Sequence, residues 1–377
     1  MESFIKRHIS TDIENNLFKG KIIIIYWARQ VWKTSLVKNI LLKYWDLGDY
    51  YNCDEPDIRQ SLTNKTSTQL RSFFWEKKLI IIDEAQRVGN IWLTLKLLID
   101  NFPDTQIIAT WSSSFELANK INEPLTWRKY EYYLYPFSIW ELKNIYSELE
   151  IKRLLEERLI FWSYPEIILS SKNEKISNLK TLIDSYLYKD ILTFWNIKKP
   201  DMIIKLLQLI ALQIWNQVSY TELSQLLWID KNTVESYVQI LEQSFIIFRL
   251  WSFWRNLRNE LKFSKKIYFY DLWLRNALLN NFNNLDLRQD TWSLWENFLI
   301  LERLKYNKNN NLYKNIYFWR TYEQKEIDYI EEYNWELHWY EFKWWKSTFK
   351  KPKEFLENYE NSSIELINKD NFLDFLT

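Results

Sequence analysis

Glycine is what this sequence most lacks: three residues in 377, Gly20, Gly48 and Gly89, against an ordinary usage of about 7%. So few glycines leave almost no residue suited to positive φ, to helix C-caps or to close backbone approach. Cysteine is reduced to Cys53, which excludes an internal disulfide and fits a reducing compartment. No run approaches the roughly 18 apolar residues of a membrane span. The first residues, Met1 to His8, lack the apolar core of a signal peptide. A cytoplasmic protein with no membrane partner is expected. Net charge is also nearly missing, at +1 from 50 basic and 49 acidic residues. That balance argues neither for nor against a nucleic-acid partner, and any basic face must be local.

What the sequence has in excess is tryptophan, with 22 residues. Added to the three glycines, they come close to normal glycine usage alone. Many stand where glycine is the physical choice. Trp228 follows the helix-like Thr221–Leu227 run at a C-cap, and Trp335 follows Asn334 between two strand-like runs, where Asn-Gly is the favoured hairpin pair. Trp27 and Trp32 fall in a candidate phosphate loop. The reading is that the gene uses UGA for glycine and was translated as though UGA meant tryptophan. Trp295, Trp319 and Trp344 sit in contexts that suit a real indole. The alternative is a protein truly rich in tryptophan, and the codons at 27, 32 and 273 decide between the two.

Lys21–Tyr26 is a short β-branched run of the kind buried in a parallel sheet. It leads into Trp27, Ala28, Arg29, Gln30, Val31, Trp32, Lys33, Thr34 and Ser35, then into the helix-like Leu36–Leu42. With glycine at 27 and 32 the loop reads G-x-x-x-x-G-K-T, a full Walker A sequence. Backbone N–H groups would wrap the phosphates of ATP, Lys33 would reach the β/γ oxygens, and Thr34 would bind Mg²⁺. A second strand, Lys78–Ile82, ends in Asp83 and Glu84. Asp83 would hold the Mg²⁺ shell and Glu84 would polarise the attacking water as general base. A third strand, Thr105–Thr110, runs into Trp111 and Ser112, where a polar γ-phosphate sensor commonly lies.

The runs Arg29–Leu36, Ile81–Gln86, Thr110–Leu117 and Glu123–Ser138 resemble a family of prokaryotic AAA-superfamily ATPases that carry a C-terminal domain of unknown function. The resemblance extends essentially end to end and departs from the family pattern mainly at Trp. It implies an ATPase needing ATP and Mg²⁺, and it admits a homo-oligomer. It also implies that a chain with real Trp27 and Trp32 would lack the glycines on which the family's nucleotide binding depends. Arg128 lies in a family-like segment, as a trans-acting arginine, a γ-phosphate sensor or simply a salt-bridged surface residue.

Residues 141–202 read as a helical lid, with Tyr186–Ile191 amphipathic. In 203–262 a helix, a turn at Trp228, a helix from Asn232 and the strand-like Phe245–Leu250 give a winged helix-turn-helix layout. Its second helix offers Lys231, Asn232, Thr233 and Ser236 to a groove, with Glu235 opposing. Arg255, Arg258, Lys262, Lys265 and Lys266 tilt the following segment basic, toward phosphate contacts. DNA contact and a packing role both remain open.

From 263 to 377 the order is helix, three strands, helix, strand, with Asp328 on the second strand and Glu341-x-Lys343 on the third. This order resembles the core of restriction-endonuclease-like nucleases. Residues two apart on a strand share a face, so Glu341 and Lys343 point together. Asp328 and Glu341 would hold Mg²⁺ beside the water that attacks a phosphodiester, Lys343 would activate that water, and Glu296 could be an outer metal ligand. A strand ion pair, or a fold that has lost its metal, is the alternative. The expected architecture is α/β: a P-loop NTPase with an AAA-like parallel sheet (1–140), a helical lid (141–202), a winged helix (203–262) and an α/β restriction-endonuclease-like domain (263–377). ATPase activity coupled to the C-terminal modules, acting on nucleic acid, is the leading function. A nucleotide-gated protein-interaction switch is its rival.

Overall fold

Runs dense in isoleucine become strands buried on both faces. In the computed structural model, Ile22–Trp27 (β1), Gly48–Asn52 (β2), Leu79–Asp83 (β3), Gln106–Trp111 (β4) and Lys129–Leu134 (β5) form one sheet in the order β2-β3-β4-β1-β5. Every pairing in it is parallel. Ile22, Ile23, Ile24 and Ile25 have no exposed surface, as a sheet covered on both faces requires. Helices Lys33–Lys43, Ser67–Phe74 and Ile91–Asn101 lie in the connections between successive strands. The structure describes residues 6–27, 33–44, 46–74, 77–111, 125–161, 174–175, 179, 199–214, 216–255, 264–345, 353–359 and 362–376.

The chain divides into two compact units, one of Met1–Phe137 with Gln243–Phe245, the other of Ser138–Glu242 with Ile246–Thr377. The second unit opens with helices Ile139–Leu142, Glu148–Arg153 and Leu155–Phe161. The amphipathic 186–191 run assigned to a lid lies outside the described residues. Three helices follow, Pro200–Leu212, Tyr220–Leu227 and Lys231–Gln243, and then Ile247–Ser252 (β6). Asp230 Oδ1 accepts from Asn232 N at 2.7 Å and starts the last of these helices.

The helices expected in 203–262 are present, and the strand after them belongs to a larger sheet. β6 pairs antiparallel with Lys265–Phe269 (β7) and parallel with Asn315–Arg320 (β8). With Glu326–Tyr333 (β9), Glu336–Phe342 (β10) and Ser362–Ile367 (β11) they make one sheet, ordered β11-β10-β9-β8-β6-β7. The expected boundary at 262/263 falls between β6 and β7, so 203–262 and 263–377 contribute strands to one sheet. From Thr291 onward the expected succession is found: helix Thr291–Asn309, β8, β9, β10, helix Lys353–Asn358 and β11.

Two turns fall where glycine was expected. Trp228 is left-handed (φ 53), and the Ile229 N–H closes on Ser224 O at 3.1 Å, a Schellman-type helix end. Asn334 and Trp335, the two residues between β9 and β10, have φ of 51 and 68, the signature of a type I′ hairpin.

Candidate nucleotide site and C-terminal carboxylate centre

β1 delivers the chain to Trp27, and Lys33 opens the next helix. Ala28, Arg29, Gln30, Val31, Trp32 and Ser112 lie outside the described residues, as does the side chain of Trp27. Thr34 and Ser35 occupy the first turn behind Lys33. The Lys33 ammonium reaches Asp83 Oδ1 at 2.6 Å and Glu84 Oε1 at 2.7 Å. The two motif halves, 50 residues apart, thus meet at the carboxyl ends of β1 and β3, with β4 between them. Ligands of open α/β sheets bind at that edge.

Asp83 is nearly enclosed. Tyr50 on β2 donates its hydroxyl to Asp83 Oδ2, and Thr110 at the end of β4 donates to Oδ1. Burial and the Asp83 contact push the Tyr50 hydroxyl pKa well above its ordinary value. The Glu84 N–H points to Asp83 Oδ1 and to Thr110 Oγ1, each at 3.2 Å. Glu84 is itself left-handed, with φ 54 and ψ 41, a conformation that costs a non-glycine residue on the order of 1 kcal/mol and recurs at functional sites. Its Oε2 accepts from Gln86 Nε2 at 2.5 Å. Tyr50, Thr110 and Gln86 escaped the sequence reading. Only Thr110 left a signal, as the polar residue that ends an apolar strand.

Arg128 requires correction. It precedes β5, pairs through Nε with Asp100 at 3.0 Å, and its carbonyl accepts from Ile22 at the start of β1. The loop follows the other end of β1, about 20 Å away at roughly 3.3 Å per residue. This places Arg128 away from this chain's own loop, as a half-exposed residue salt-bridged to Asp100.

On the second sheet, β9 slips register between Tyr317 and Trp319, so that Asp328 and Tyr329 together oppose Phe318. Such bulges re-aim side chains. Asp328 is buried and accepts from the Phe342 N–H on β10 at 2.8 Å. Glu341, also buried, takes Lys343 Nζ on Oε1 at 2.6 Å, while its Oε2 is buried with no hydrogen-bond partner. Lys343 also lies 4.7 Å from the centre of the Trp292 ring.

Burial raises the Asp328 carboxyl pKa well above the usual range, and the Glu296 and Glu341 charges raise it further. The Glu341 carboxyl is raised by burial against the opposing pull of Lys343. Glu341 thus pairs with Lys343, and its charge acts on Asp328 across the β9–β10 pairing. Glu296, expected as an outer cation ligand, also lies close enough for its charge to act on Asp328. Its Oε1 accepts from Lys266 Nζ at 2.9 Å and from the Tyr268 hydroxyl at 2.5 Å. Among the described residues, no group of three or more His, Cys, Asp or Glu is arranged to hold a metal ion.

The basic run after the helix-turn-helix is also partly reassigned. Lys266 is fully buried, Arg255 pairs with Glu332 at 2.6 Å, and Lys265 Nζ sits 3.3 Å above the Tyr220 ring. Arg258 and Lys262 lie outside the described residues. Lys231, Asn232, Glu235 and Ser236 are exposed, and Thr233 is half-buried.

Residues 19–143 match a family described as an AAA domain. Residues 152–285 and 293–371 match two domains of unknown function, DUF8612 and DUF4143. Two uncharacterized proteins of Methanocaldococcus jannaschii are each 26% identical to this chain, over 348 and 314 residues. The alignments cover 85% and 73% of this chain and span 74% and 65% of those proteins' lengths. A crystal structure of Cdc6p from Pyrobaculum aerophilum aligns at 10% identity over 74% of this chain and 96% of that one. Its TM-score of 0.29 is too low to indicate a shared whole-chain arrangement. With its five-stranded parallel sheet and the AAA match, the N-terminal part has the fold of an AAA-type P-loop NTPase, followed by further domains. Among the described residues, no helix is long and apolar enough to cross a membrane.

Proposed function

We propose that this chain binds Mg-ATP at the end of β1 and hydrolyses it. The observation that carries the reading is Lys33, which opens the helix after β1 and touches both Asp83 and Glu84. Lys33 would pass from these carboxylates to the β/γ-phosphates. Thr34 and Asp83 would hold Mg²⁺, whose chemistry is to neutralise charge on the transferred phosphoryl group. Glu84 would orient and deprotonate the attacking water. Tyr50 and Thr110, both donating to Asp83, would keep its carboxylate aimed. Glu84→Gln should retain Mg-ATP binding and slow turnover by about 10²-fold or more. Wild-type turnover in that variant would refute the general base.

Glycine at 27 and 32 is part of the proposal, with UGA as its codon. Trp127, Trp228 and Trp335 support it. All three have positive φ, and 88%, 93% and 83% of their surface is exposed. A bulky side chain with left-handed backbone and no packing is a poor fit to its site. Trp295 and Trp319, by contrast, are fully buried among other rings, as real indoles would be.

A second reading is favoured by the orphaned Glu341 Oε2 beside Asp328. We infer that the C-terminal centre is a nuclease-like cation site acting on DNA or RNA, with Lys343 beside the water. Mg²⁺ commonly uses one or two carboxylates and completes its shell with water and substrate phosphate, so this two-carboxylate pair fits it. Nicking with Mg²⁺ or Mn²⁺ that disappears in Glu341→Ala would support the reading. Salt-independent failure to bind or cut any nucleic acid would leave the nucleotide-gated interaction switch.

A further inference from the structure

Both oxygens of the Glu84 carboxylate have partners, and the two partners differ in kind. Oε1 accepts from the Lys33 ammonium at 2.7 Å, and Oε2 accepts from the Gln86 side-chain amide at 2.5 Å. Lys33 is a long, charged side chain that also pairs with Asp83 at 2.6 Å, and a phosphate group competes for it directly. Gln86 is neutral and buried, and its backbone is fixed. It sits in the turn Ala85–Arg87, where the Arg87 N–H donates to Glu84 O and the Val88 N–H to Ala85 O, each at 3.0 Å. A phosphate finds no charge on Gln86 to draw it away. Residues two apart on a helix do not face each other. Here Glu84 stands before the turn with left-handed backbone, and its carboxylate meets the Gln86 amide.

We propose that Gln86 is a positioning residue for ATP hydrolysis, and that Glu84 Oε1 is the oxygen that takes the proton of the attacking water. The inference rests on the reading of the end of β1 as an ATP site. As Lys33 moves to phosphate it uncovers Oε1, while Gln86 keeps Oε2. Rotation about the last side-chain bond of a glutamate is otherwise broad, so holding one oxygen fixes where the other points. The water oxygen bonds to the γ-phosphorus, and the water proton passes to Glu84 Oε1. The bond from that phosphorus to the β–γ bridging oxygen breaks, and its electron pair leaves on the nucleoside diphosphate. One ammonium thereby ties the base to the nucleotide, because Oε1 stays covered until Lys33 meets phosphate.

Steady-state hydrolysis and calorimetric Mg-ATP binding, measured on the full-length chain carrying Trp27→Gly and Trp32→Gly, test this. Gln86→Met keeps the side chain's length and removes its donor. Gln86→Glu keeps its size and sets a second anion against Oε2. Both variants should keep the parent's Mg-ATP affinity, KM and thermal midpoint. Their kcat should fall by about 10-fold or more, within the roughly 10²-fold that misplacing a catalytic group costs. In a Glu84→Gln background, Gln86→Met should cost nothing further, since no carboxylate is left to aim. Unchanged kcat in both variants, or lost Mg-ATP binding in both, would overturn the proposal. So would an equal fractional loss of kcat from Gln86→Met with Glu84 present and with Glu84→Gln, the result a merely structural role gives. Parent-like turnover in Glu84→Gln, or none in the parent itself, would instead overturn the hydrolysis reading beneath it.

Discussion

Asp83 receives hydrogens from Tyr50, Thr110, Lys33 and the Glu84 peptide, and only Lys33 was recognisable in the sequence as its partner. Lysine after a loop and a carboxylate pair after an apolar strand are local patterns. Tyr50 becomes a neighbour of Asp83 only through the β2–β3 register, which sets Asn52 against Asp83 and Tyr50 two residues back on the same strand. Tyr50→Phe should therefore leave the fold intact and raise the Mg²⁺ concentration needed for ATP hydrolysis by about 10-fold, as loss of an outer-sphere partner does. An unchanged Mg²⁺ titration would remove Tyr50 from the site. Lys266 taught the reverse lesson. It read as one of five basic residues offered to phosphate, yet it is wholly buried against Glu296 and Glu326.

The same buried centre makes stability depend on pH. Asp328, Glu296 and Glu341 have carboxyl pKa values raised first by burial. Acids raised on folding add stability below their unfolded pKa, about 4, and lose it as pH rises through the folded value. Glu331, lowered to about 2 by its bonds to Arg303 and Lys314 despite burial, acts oppositely and loses its contribution as pH falls. With chelator present, the midpoint for thermal unfolding of the C-terminal unit should fall between about pH 5 and pH 8. Mn²⁺ should restore much of it, and Asp328→Asn should flatten the slope. A midpoint that rises across that range would contradict the ionisation scheme.

At the scale of elements, the strands and the αβββαβ succession were legible because apolar periodicity and strand-length runs are local. The β9 bulge that aims Asp328 was not, since it exists only in the mismatch between β8 and β9. The fate of β6 and β7 was equally invisible. A helix-turn-helix followed by a hairpin reads the same whether the hairpin stands free or joins a larger sheet, and here it joins β8. The turns at Trp228 and Trp335 carry a sharper prediction. Both residues are left-handed and almost fully exposed, so replacement by glycine removes strain and gives up little packing. Trp228→Gly and Trp335→Gly should each stabilise the protein by about 1 kcal/mol, after the entropy cost of glycine in the unfolded chain. Urea midpoints check this, and a loss of stability in both would count against glycine at those positions.

At the scale of the whole molecule, an ATPase-type sheet is joined in one chain to a second unit with its own sheet and its own buried charge centre. The chemistry proposed for each unit rests on two carboxylates and a lysine: Asp83, Glu84 and Lys33 in the first, Asp328, Glu341 and Lys343 in the second. The central claim is that the first of these binds Mg-ATP through a glycine loop. It is tested most directly by calorimetric titration of Mg-ATP into three proteins: the chain carrying Trp27→Gly and Trp32→Gly, the same chain with Lys33→Ala, and the chain with both tryptophans kept. The account predicts saturable one-site binding in the first, a loss of about 30-fold or more in the second as the phosphate charge loses its buried partner, and far weaker binding in the third. Equal binding with Lys33 and with alanine, or none in the glycine-bearing chain, would contradict it.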